Sequence, residues 1–499
     1  MRKGSQQTMK ALMVQGTSSG AGKSLLCTAL CRIFSDMGYS AAPFKAMNMS
    51  LNSAVSADGG EIASAQYVQA HAARTEPLSA MNPVLLKPDV GGPHVIINGH
   101  YSGKIVAGGD FSWDMGNARK AVSSSLRSLS HFDIVVMEGS GSPAEINIRE
   151  RDIANGYAAR LAGAKVILVS DIDRGGAFAS VMGTWTLLDE TERRRLSLFV
   201  FNRMRGDASV LEKGARVIEE RTGMKYGGSI PFVEGAALPD EDSLSLRTAG
   251  MGKGRIRFAA VRTPFLSNYS DFYPLIYQRD VGFSLTDDPG ECERADVVIL
   301  GGSKNSVADL RFLRENGFDD MLQERVREGR RVIGICGGYQ MLSRRIIDRH
   351  HVESDADSVR GVGVFDSTTE MTARKVTDSV SGYILEEKEG RPVAVSGYEI
   401  HFGTTAAKGR RFIGICRRNG MAVNELDGEV TGAAVGTYVH GLFSNRRFLQ
   451  KLVDEICMEK GIDSFSVAGN IEERAIKKVA AIVRRSVDMD LVMEMAGIA

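Results

Sequence analysis

The sequence lacks the patterns that mark membrane, secreted and disulfide-linked proteins. Its six cysteines form no Cys-x-x-Cys pair and no framework spacing, which is typical of a reducing compartment. No apolar stretch approaches the ~18 residues that a membrane span needs. The polar N-terminal residues contain no signal-peptide core. These absences predict a cytoplasmic protein without a membrane partner.

An excess of charge of one sign is also missing. The chain carries 62 Lys and Arg against 61 Asp and Glu, for a formal net charge of +1. This balance argues against a dedicated nucleic-acid-binding protein. With 43% hydrophobic and 25% charged residues the composition is that of a globular protein, and 499 residues predict more than one domain.

The residues around Cys336 form the first candidate catalytic motif. A short apolar run over residues 332–335 ends at this cysteine, and two glycines and an apolar segment follow it. Strand, sharp turn and helix in that order are typical of a nucleophile elbow. The backbone N–H of Gly337 is then available to a developing oxyanion, and the helix N-terminus favours the thiolate. The alternative is a small buried core cysteine; the flanking glycines favour the nucleophile.

A cysteine nucleophile needs a general base, and His440 is the first candidate. It follows a short apolar segment and precedes Gly441, which places it at the end of a predicted strand. His401, in residues 396–403, is the second candidate. A lone histidine is more often a structural residue, so the assignment depends on the elbow in the same half of the chain.

Near the N-terminus, residues 15–24 form a P-loop between a predicted strand and an apolar-periodic helix. Gly20, Gly22, Lys23 and Ser24 match the motif, and Thr17 stands where the first glycine is usual. Backbone N–H groups of such a loop bind phosphates, the lysine neutralises the outer phosphates, and the serine hydroxyl reaches Mg²⁺. The alternative is a Gly/Ser turn that caps a helix. The motif predicts ATP and Mg²⁺ as cofactors.

Two carboxylates are candidate Mg²⁺ ligands. Glu138 ends an apolar strand and is followed by glycines, as in a Walker-B arrangement. Asp58 opens a predicted helix beyond the second strand, where parallel sheets bind ligands. The spacing of Asp58 and Glu61 is also that of a capping box, so a purely structural role stays open for Asp58.

The chain divides into two predicted α/β domains. In the first half, strands alternate with helices, which predicts a parallel sheet covered on both faces. The Gly-rich residues 248–254 form the best linker. We therefore expect a loose extension over 1–9, an ATP-dependent domain over 10–247, a second domain over 255–445 and amphipathic helices over 446–499.

The second half resembles class I glutamine amidotransferases. The resemblance lies in Gly-Ile-Cys-Gly-Gly-Tyr-Gln around Cys336 and Tyr-Val-His-Gly around His440. It implies a flavodoxin-like fold and a second oxyanion N–H from the turn at Gly302. Many relatives have a glutamate two residues after the histidine, where this chain has Leu442. The resemblance is therefore to the branch without that glutamate, and it leaves open which group orients His440.

The first half resembles dethiobiotin synthetase and its relatives, which activate a carboxylate with ATP. Residues 44–53 and 81–88 extend the resemblance to the cobyric acid synthase family of corrinoid biosynthesis, although Met47 replaces a usual glutamine. The family implies glutamine and a corrinoid as substrates, Asn202 beside the adenine, and amidation of the b, d, e and g carboxylates of adenosylcobyrinic acid a,c-diamide. The alternatives are cobyrinic acid a,c-diamide synthase or another carboxylate amidotransferase, and a regulatory ATPase with an inactive cysteine domain.

Overall fold

The computed structural model describes residues 9–89, 92–105, 115–233, 254–385 and 392–498. Most of the predicted linker, residues 248–253, lies outside these ranges. The strands of the first half are β1 (Lys10–Gly16), β2 (Ala41–Phe44), β3 (Met47–Met49), β4 (Ser53–Val55), β5 (Glu61–Ala63), β6 (Val84–Lys87), β7 (His94–Ile97), β8 (His100–Lys104), β9 (Ile134–Glu138), β10 (Lys165–Asp171), β11 (Leu196–Met204) and β12 (Lys225–Pro231). The helices are α1 (Lys23–Asp36), α2 (Ser64–Ala72), α3 (Met115–Ser128), α4 (Gly156–Ala162), α5 (Ala177–Leu187), α6 (Glu190–Arg193) and α7 (Glu212–Thr222).

Six of these strands form the predicted parallel sheet, in the order β12-β11-β10-β1-β9-β2. Apolar clusters cover both faces, as the continuous apolar runs of a buried parallel sheet require. The P-loop follows β1 and Glu138 ends the neighbouring β9. The carboxyl ends of adjacent parallel strands therefore bring the two motifs together, and the parallel α/β fold is confirmed.

Residues 47–104 add two small sheets beyond the carboxyl end of β2. One has the order β3-β6-β7-β8 and the other is the hairpin β4-β5. The predicted helix opening at Asp58 is wrong here, because residues 53–63 fold as that hairpin and α2 begins only at Ser64. These small sheets carry the segment that meets the second half.

The second half contains a further α/β unit. Its strands are β13 (Ile256–Val261), β14 (Leu266–Ser267), β15 (Val281–Thr286), β16 (Val297–Leu300), β17 (Gly302–Ser303), β18 (Arg331–Ile335), β19 (Ser343–Ile347), β20 (Ser358–Arg360), β21 (Phe365–Ile384), β22 (Val393–Ala406), β23 (Ile413–Arg418), β24 (Met421–Asp427), β25 (Glu429–Thr431) and β26 (Ala434–Thr437). The helices in this part of the chain are α8 (Tyr273–Ile276), α9 (Pro289–Glu293), α10 (Ser306–Glu315), α11 (Phe318–Arg327), α12 (Gly337–Leu342), α13 (Arg446–Glu459), α14 (Ile471–Ser486) and α15 (Met489–Ala496).

The central sheet of this unit has the order β15-β13-β16-β18-β26-β25 and is parallel except for β25. Cys336 follows β18 directly, and His440 lies just beyond β26. Because β18 and β26 are neighbours, their carboxyl ends place the two residues side by side. A second, mostly antiparallel sheet built from β19 to β24 flanks this unit.

The C-terminal helices divide between the two halves. Helix α13 packs Leu449 and Val453 into the core of the second unit. Helices α14 and α15 return to the first sheet, where Ile476 and Val479 join the cluster behind β1. Arg32 of α1 also forms an ion pair with Glu473 of α14. Among the described residues, no helix combines the length and apolarity that crossing a bilayer requires.

Candidate active sites

Cys336 sits at the sharp turn between β18 and α12, as the sequence predicts. Its backbone has φ 53° and ψ −110°, a conformation that strains a residue with a Cβ and is typical of functional turns. The side chain is 4% exposed, and its Sγ lies 3.5 Å from the carbonyl oxygen of Ile400. The predicted order of strand, sharp turn and helix around Cys336 is therefore confirmed, and its role as nucleophile stays a prediction.

His440 is completely buried beside this cysteine and is oriented by Asp271. Its Nδ1 lies 2.8 Å from Oδ2 of Asp271, while the other carboxylate oxygen accepts a 2.7 Å hydrogen bond from the backbone N–H of Gly441. Asp271 belongs to a short 3₁₀ segment, Tyr269–Phe272. Asp271 therefore takes the orienting place that a glutamate two residues after the histidine would otherwise fill. Its carboxylate holds the His440 ring and fixes the tautomer, as the third member of a triad does.

The charges at this site favour a protonated histidine. Burial alone would lower the pKa of His440, but the negative charges of Asp271 and of a Cys336 thiolate outweigh it and raise that pKa to about 10. A hydrogen bond between the His440 and Cys336 side chains acts in the same direction. The arrangement can therefore take the thiol proton and stabilise the resulting ion pair.

The two predicted oxyanion glycines also lie at this site. A Cβ added to Gly302 would come within 2.9 Å of Cε1 of His440. A Cβ added to Gly337 would come within 2.6 Å of the backbone nitrogen of Ser303. Both positions therefore exclude larger residues, since a side chain at Gly302 would collide with His440 and one at Gly337 with Ser303.

His401, the second candidate base, is held elsewhere. Its Nδ1 lies 2.9 Å from the carbonyl oxygen of Gly403, and its ring stacks on Tyr438 with centroids 3.9 Å apart. Its Nε2 lies 4.0 Å from a carboxylate oxygen of Glu399. These contacts describe a structural histidine beside the site.

In the first half, the P-loop has the predicted form. Gly22 precedes α1 with φ 109°, and a Cβ there would come within 1.9 Å of the Asn202 amide. The amide Nδ2 of Asn202 donates to the carbonyl oxygen of Ala21 at 3.0 Å. The hydroxyl of Thr17 contacts that of Ser170 at 3.1 Å. Asn202 therefore lies against the loop, and Thr17 links the loop to β10.

Lys23 and Gly20 complete the loop. The Lys23 ammonium donates to the carbonyl oxygens of Ser18 and Gly141, each at 3.1 Å. Gly20 has φ 68°, which favours glycine. Lys23 is 2% exposed, so its charge is held inside the loop at the N-terminus of α1, where anions bind.

Glu138 lies at the centre of a buried polar network beside the P-loop. Its Oε1 accepts hydrogen bonds from Ser24 Oγ at 2.9 Å and Lys45 Nζ at 2.8 Å. Its Oε2 accepts from the amides of Gln69 at 2.5 Å and Gln66 at 3.4 Å. Lys45, Gln66 and Gln69 were not predicted as site residues, although Lys45 lies in the polar stretch after β2.

Asp58 is bound to Ser56 and Ser79 by hydrogen bonds. Its two carboxylate oxygens accept hydrogen bonds from Ser56 at 2.5 Å and from the Ser79 hydroxyl at 2.6 Å. The Ser79 backbone N–H also donates to it at 2.9 Å. These contacts tie two loops together and fit the structural alternative, and the assignment of Asp58 to a metal site stays a prediction. Across the described ranges, no cluster of three or more His, Cys, Asp or Glu side chains could hold a metal ion.

A cavity of about 470 Å³ lies between the two halves beside His440. The second half contributes Asp271 and Tyr398, and α2 contributes Tyr67 and His71. Helix α2 also carries the glutamines that contact Glu138. One helix therefore borders both candidate sites.

Comparisons with known proteins agree with this division. Residues 257–448 match the family model of the CobB/CobQ-like glutamine amidotransferase domain, and residues 12–245 match the CobQ/CobB/MinD/ParA nucleotide binding domain. A solved glutamine amidotransferase from Thermotoga maritima is 16% identical with a TM-score of 0.27, covering 48% of this chain and 98% of its own. That likeness is too low to carry an argument.

Similar curated proteins match over almost their whole length. A probable cobyric acid synthase from Thermococcus gammatolerans is 44% identical over 98% of this chain and 100% of its own. Cobyric acid synthases from Alkaliphilus metalliredigens and Clostridium botulinum are 40% and 38% identical, over 96% and 98% of this chain and 98% and 100% of their own. The chain belongs to the cobyric acid synthase family.

Proposed function

We propose that this protein uses ATP and glutamine to amidate the b, d, e and g carboxylates of adenosylcobyrinic acid a,c-diamide, giving adenosylcobyric acid. The second half releases ammonia from glutamine, and the first half activates the corrinoid carboxylates. The observation that carries the glutaminase assignment is the buried Cys336–His440–Asp271 arrangement at the elbow. Family membership supports the corrinoid.

In the glutaminase half, His440 accepts the Cys336 proton and the thiolate attacks the side-chain amide carbon of glutamine. The oxyanion that forms is stabilised by the backbone N–H groups of Gly302 and Gly337. His440 then donates the proton to the leaving nitrogen, so that ammonia departs and a glutamyl thioester remains. Water hydrolyses the thioester to glutamate and regenerates the thiol.

In the synthetase half, the P-loop residues bind the phosphates of ATP. The serine hydroxyl of Ser24 and the carboxylate of Glu138 are oxygen donors 2.9 Å apart, and oxygen ligands of this kind suit Mg²⁺. When bound, Mg²⁺ would neutralise phosphate charge at that place. The corrinoid carboxylate takes the γ-phosphoryl group, and ammonia displaces phosphate from the acyl phosphate to give the amide.

Mass spectrometry of the products tests this proposal. Purified protein is incubated with ATP, Mg²⁺, glutamine and adenosylcobyrinic acid a,c-diamide. Four successive mass decreases of about 1 Da are expected, as each OH becomes NH₂. Amidation of cobyrinic acid instead would identify a cobyrinic acid a,c-diamide synthase. Glutamine hydrolysis without amidation of either corrinoid would contradict the proposed substrate.

A further inference from the structure

Asn268 connects the synthetase half to the catalytic histidine of the glutaminase half. This residue is 3% exposed and has a left-handed backbone with φ 53° and ψ 39°. Its Oδ1 accepts a 3.0 Å hydrogen bond from the backbone N–H of Ser53 in the first half. Its Nδ2 lies 3.2 Å from Nε2 of His440. A single amide side chain therefore bridges the two halves at the reacting base.

The Ser53 contact fixes which way the amide faces. An N–H can only donate, so its partner on Asn268 is the oxygen, and the NH₂ group then faces His440. An amide NH₂ is also only a donor, so Nε2 must accept and must carry no proton in this arrangement. The Nδ1–H of the same ring donates to Asp271. The Asn268 contact therefore favours the neutral tautomer of His440 and opposes the charges that favour the protonated ring.

This contact competes with the chemistry that the site performs. Nε2 of a neutral imidazole has one lone pair, and the same lone pair must accept the Cys336 proton. Once Nε2 is protonated, its N–H faces the N–H of Asn268, and two donors oppose each other. The Asn268 amide in this orientation therefore disfavours the thiolate–imidazolium pair.

The other groups around His440 favour that pair or are neutral. Asp271 and Cys336 contribute negative charge and raise the pKa of His440. Tyr398 of β22 stacks on the ring with centroids 5.1 Å apart, and Tyr67 of α2 faces Tyr398 from the cavity. Burial raises the pKa of Tyr398 well above its usual value, so this phenol stays uncharged.

The segment that holds Asn268 also reaches the nucleotide site. Asn52 Oδ1 accepts a 2.9 Å hydrogen bond from the backbone N–H of Tyr269, next to Asn268. At the other end of the segment, Asn48 donates to Gln66 at 2.9 Å, and Gln66 donates to Glu138. Residues 48–53 thus extend from the P-loop carboxylate to the partner of His440.

We propose that Asn268 is a positioning residue through which the synthetase half restrains glutamine hydrolysis. Ser53 and Asn52 hold the Asn268 amide against Nε2 of His440, and rearrangement of residues 48–53 when nucleotide binds releases it. Ammonia production then follows occupation of the synthetase site. This inference rests on the proposed function for its purpose, but its test needs no corrinoid.

The test is the pH dependence of Cys336 alkylation by iodoacetamide, followed by peptide mass spectrometry. Exposed Cys416 is the internal reference. Asn268→Gly removes the amide and keeps the left-handed backbone. The acid limb of the alkylation rate plotted against pH should move to lower pH in this variant by about 0.5–1 unit, the size expected for one hydrogen bond to a titrating group. Basal glutaminase activity should rise with it.

Asn52→Ala provides an independent variant, because its side chain contacts Tyr269 and not His440. It should shift the same limb in the same direction by a smaller amount. Exposed Asn316, at the end of α10, gives the matched control Asn316→Ala, which should leave the profile unchanged. A wild-type profile measured with Mg²⁺ and a non-hydrolysable ATP analogue should move toward that of Asn268→Gly.

Three results would overturn the inference. An unchanged or more alkaline limb in Asn268→Gly would make Asn268 a supporting residue. No shift in Asn52→Ala would show that the synthetase half does not restrain glutamine hydrolysis through Asn268. If Asn268→Gly fails to fold, the result for Asn52→Ala alone decides whether the inference holds. If the ATP analogue leaves the wild-type alkylation profile unchanged, nucleotide binding does not act on His440. A failure of corrinoid amidation with the alkylation shifts intact would contradict only the proposed substrate.

Discussion

At the scale of single residues, Asp271 is the side chain whose role is easiest to isolate. It contacts Nδ1 of His440 and the backbone N–H of Gly441 and needs no contact with glutamine. Asp271→Asn should keep the shape but lose the charge that favours the imidazolium. We expect kcat/KM for glutamine to fall about 10²–10⁴-fold, as for other orienting carboxylates.

The measurement compares glutamine-dependent and ammonium-dependent amidation in the same preparation. Ammonium-dependent activity should be retained, since the synthetase site lies in the other half. Exposed Asp287, which pairs with Arg262, gives the control Asp287→Asn. Equal activity of wild type and Asp271→Asn with glutamine would remove Asp271 from the mechanism.

For Glu138 we propose both a role in the ATP-dependent reaction and a role in stability. Glu138→Gln should reduce the ATP-dependent reaction because a cation loses its charged oxygen ligand. It should also lower the thermal unfolding midpoint, since Lys45 is 0% exposed and its ion pair with Glu138 would be lost. The double variant Lys45→Met/Glu138→Gln should recover stability without activity. Full activity in Glu138→Gln, or no recovery in the double variant, would contradict this division.

Sequence patterns predict some site residues and not others for a physical reason. Cys336, Lys23 and Glu138 were found because each ends or follows an apolar strand in a motif with fixed spacing. Asp271 and Asn268 lie in a short irregular segment with no periodicity, and only folding brings them to His440. The one signal in the sequence was Leu442, which stands where many relatives have a glutamate. Its presence indicates that a carboxylate from elsewhere in the chain orients the histidine.

At the scale of elements, the parallel strands were predictable because they are buried, apolar and bounded by glycines or acids. The antiparallel sheet was not predicted. Its long strand β21 alternates buried with exposed or half-buried positions only near its two ends, and its middle is an unbroken exposed or half-buried run with many polar residues. From its sequence alone such a strand cannot be distinguished from a polar surface segment, because its pairing with β22 is visible only in the structure. Pairing across the sheet, rather than local sequence, defines this element.

The return of α14 to the first half leads to a prediction about stability. Ile476 is fully buried against the cluster behind β1. Ile476→Ala should lower the unfolding free energy of the P-loop domain by about 2–4 kcal/mol, with glutaminase activity retained. Denaturant unfolding followed by both activities measures this. Val217→Ala on the exposed face of α7 is the control. Preferential loss of glutaminase activity would show that α14 serves the other half.

At the scale of the whole molecule, a buried charge cluster joins the two halves. Glu61 contacts Lys87 at 2.8 Å and pairs with Lys375 of β21. Burial alone would raise the pKa of Glu61, but Lys375 and Lys87 outweigh it and hold the pKa well below its usual range. A carboxylate of this kind stabilises the folded state above its unfolded pKa of about 4.3, and that contribution is lost as pH falls below it.

Glu61→Gln should therefore unfold at a lower temperature than the wild type near neutral pH. The difference should close as pH falls below about 4.3. Thermal unfolding across this range tests the expectation, and Glu324→Gln, exposed on α11, should follow the wild-type curve. If the unfolding temperatures of wild type and Glu61→Gln differ by the same amount at every pH, ionisation of Glu61 does not contribute to the stability of the contact between the halves.

Two chemistries are divided between the halves of one chain, and ammonia is the reagent that we propose passes between them. Amidation by Cys336→Ala, measured with each nitrogen source in turn, tests this division. Glutamine should support no amidation, because the thiol that forms the thioester is gone. High ammonium at alkaline pH should restore it, because the residues around Lys23 and Glu138 are untouched. Full glutamine-dependent activity in folded Cys336→Ala, or no activity with either nitrogen source, would show that the two chemistries are not divided between the halves in this way.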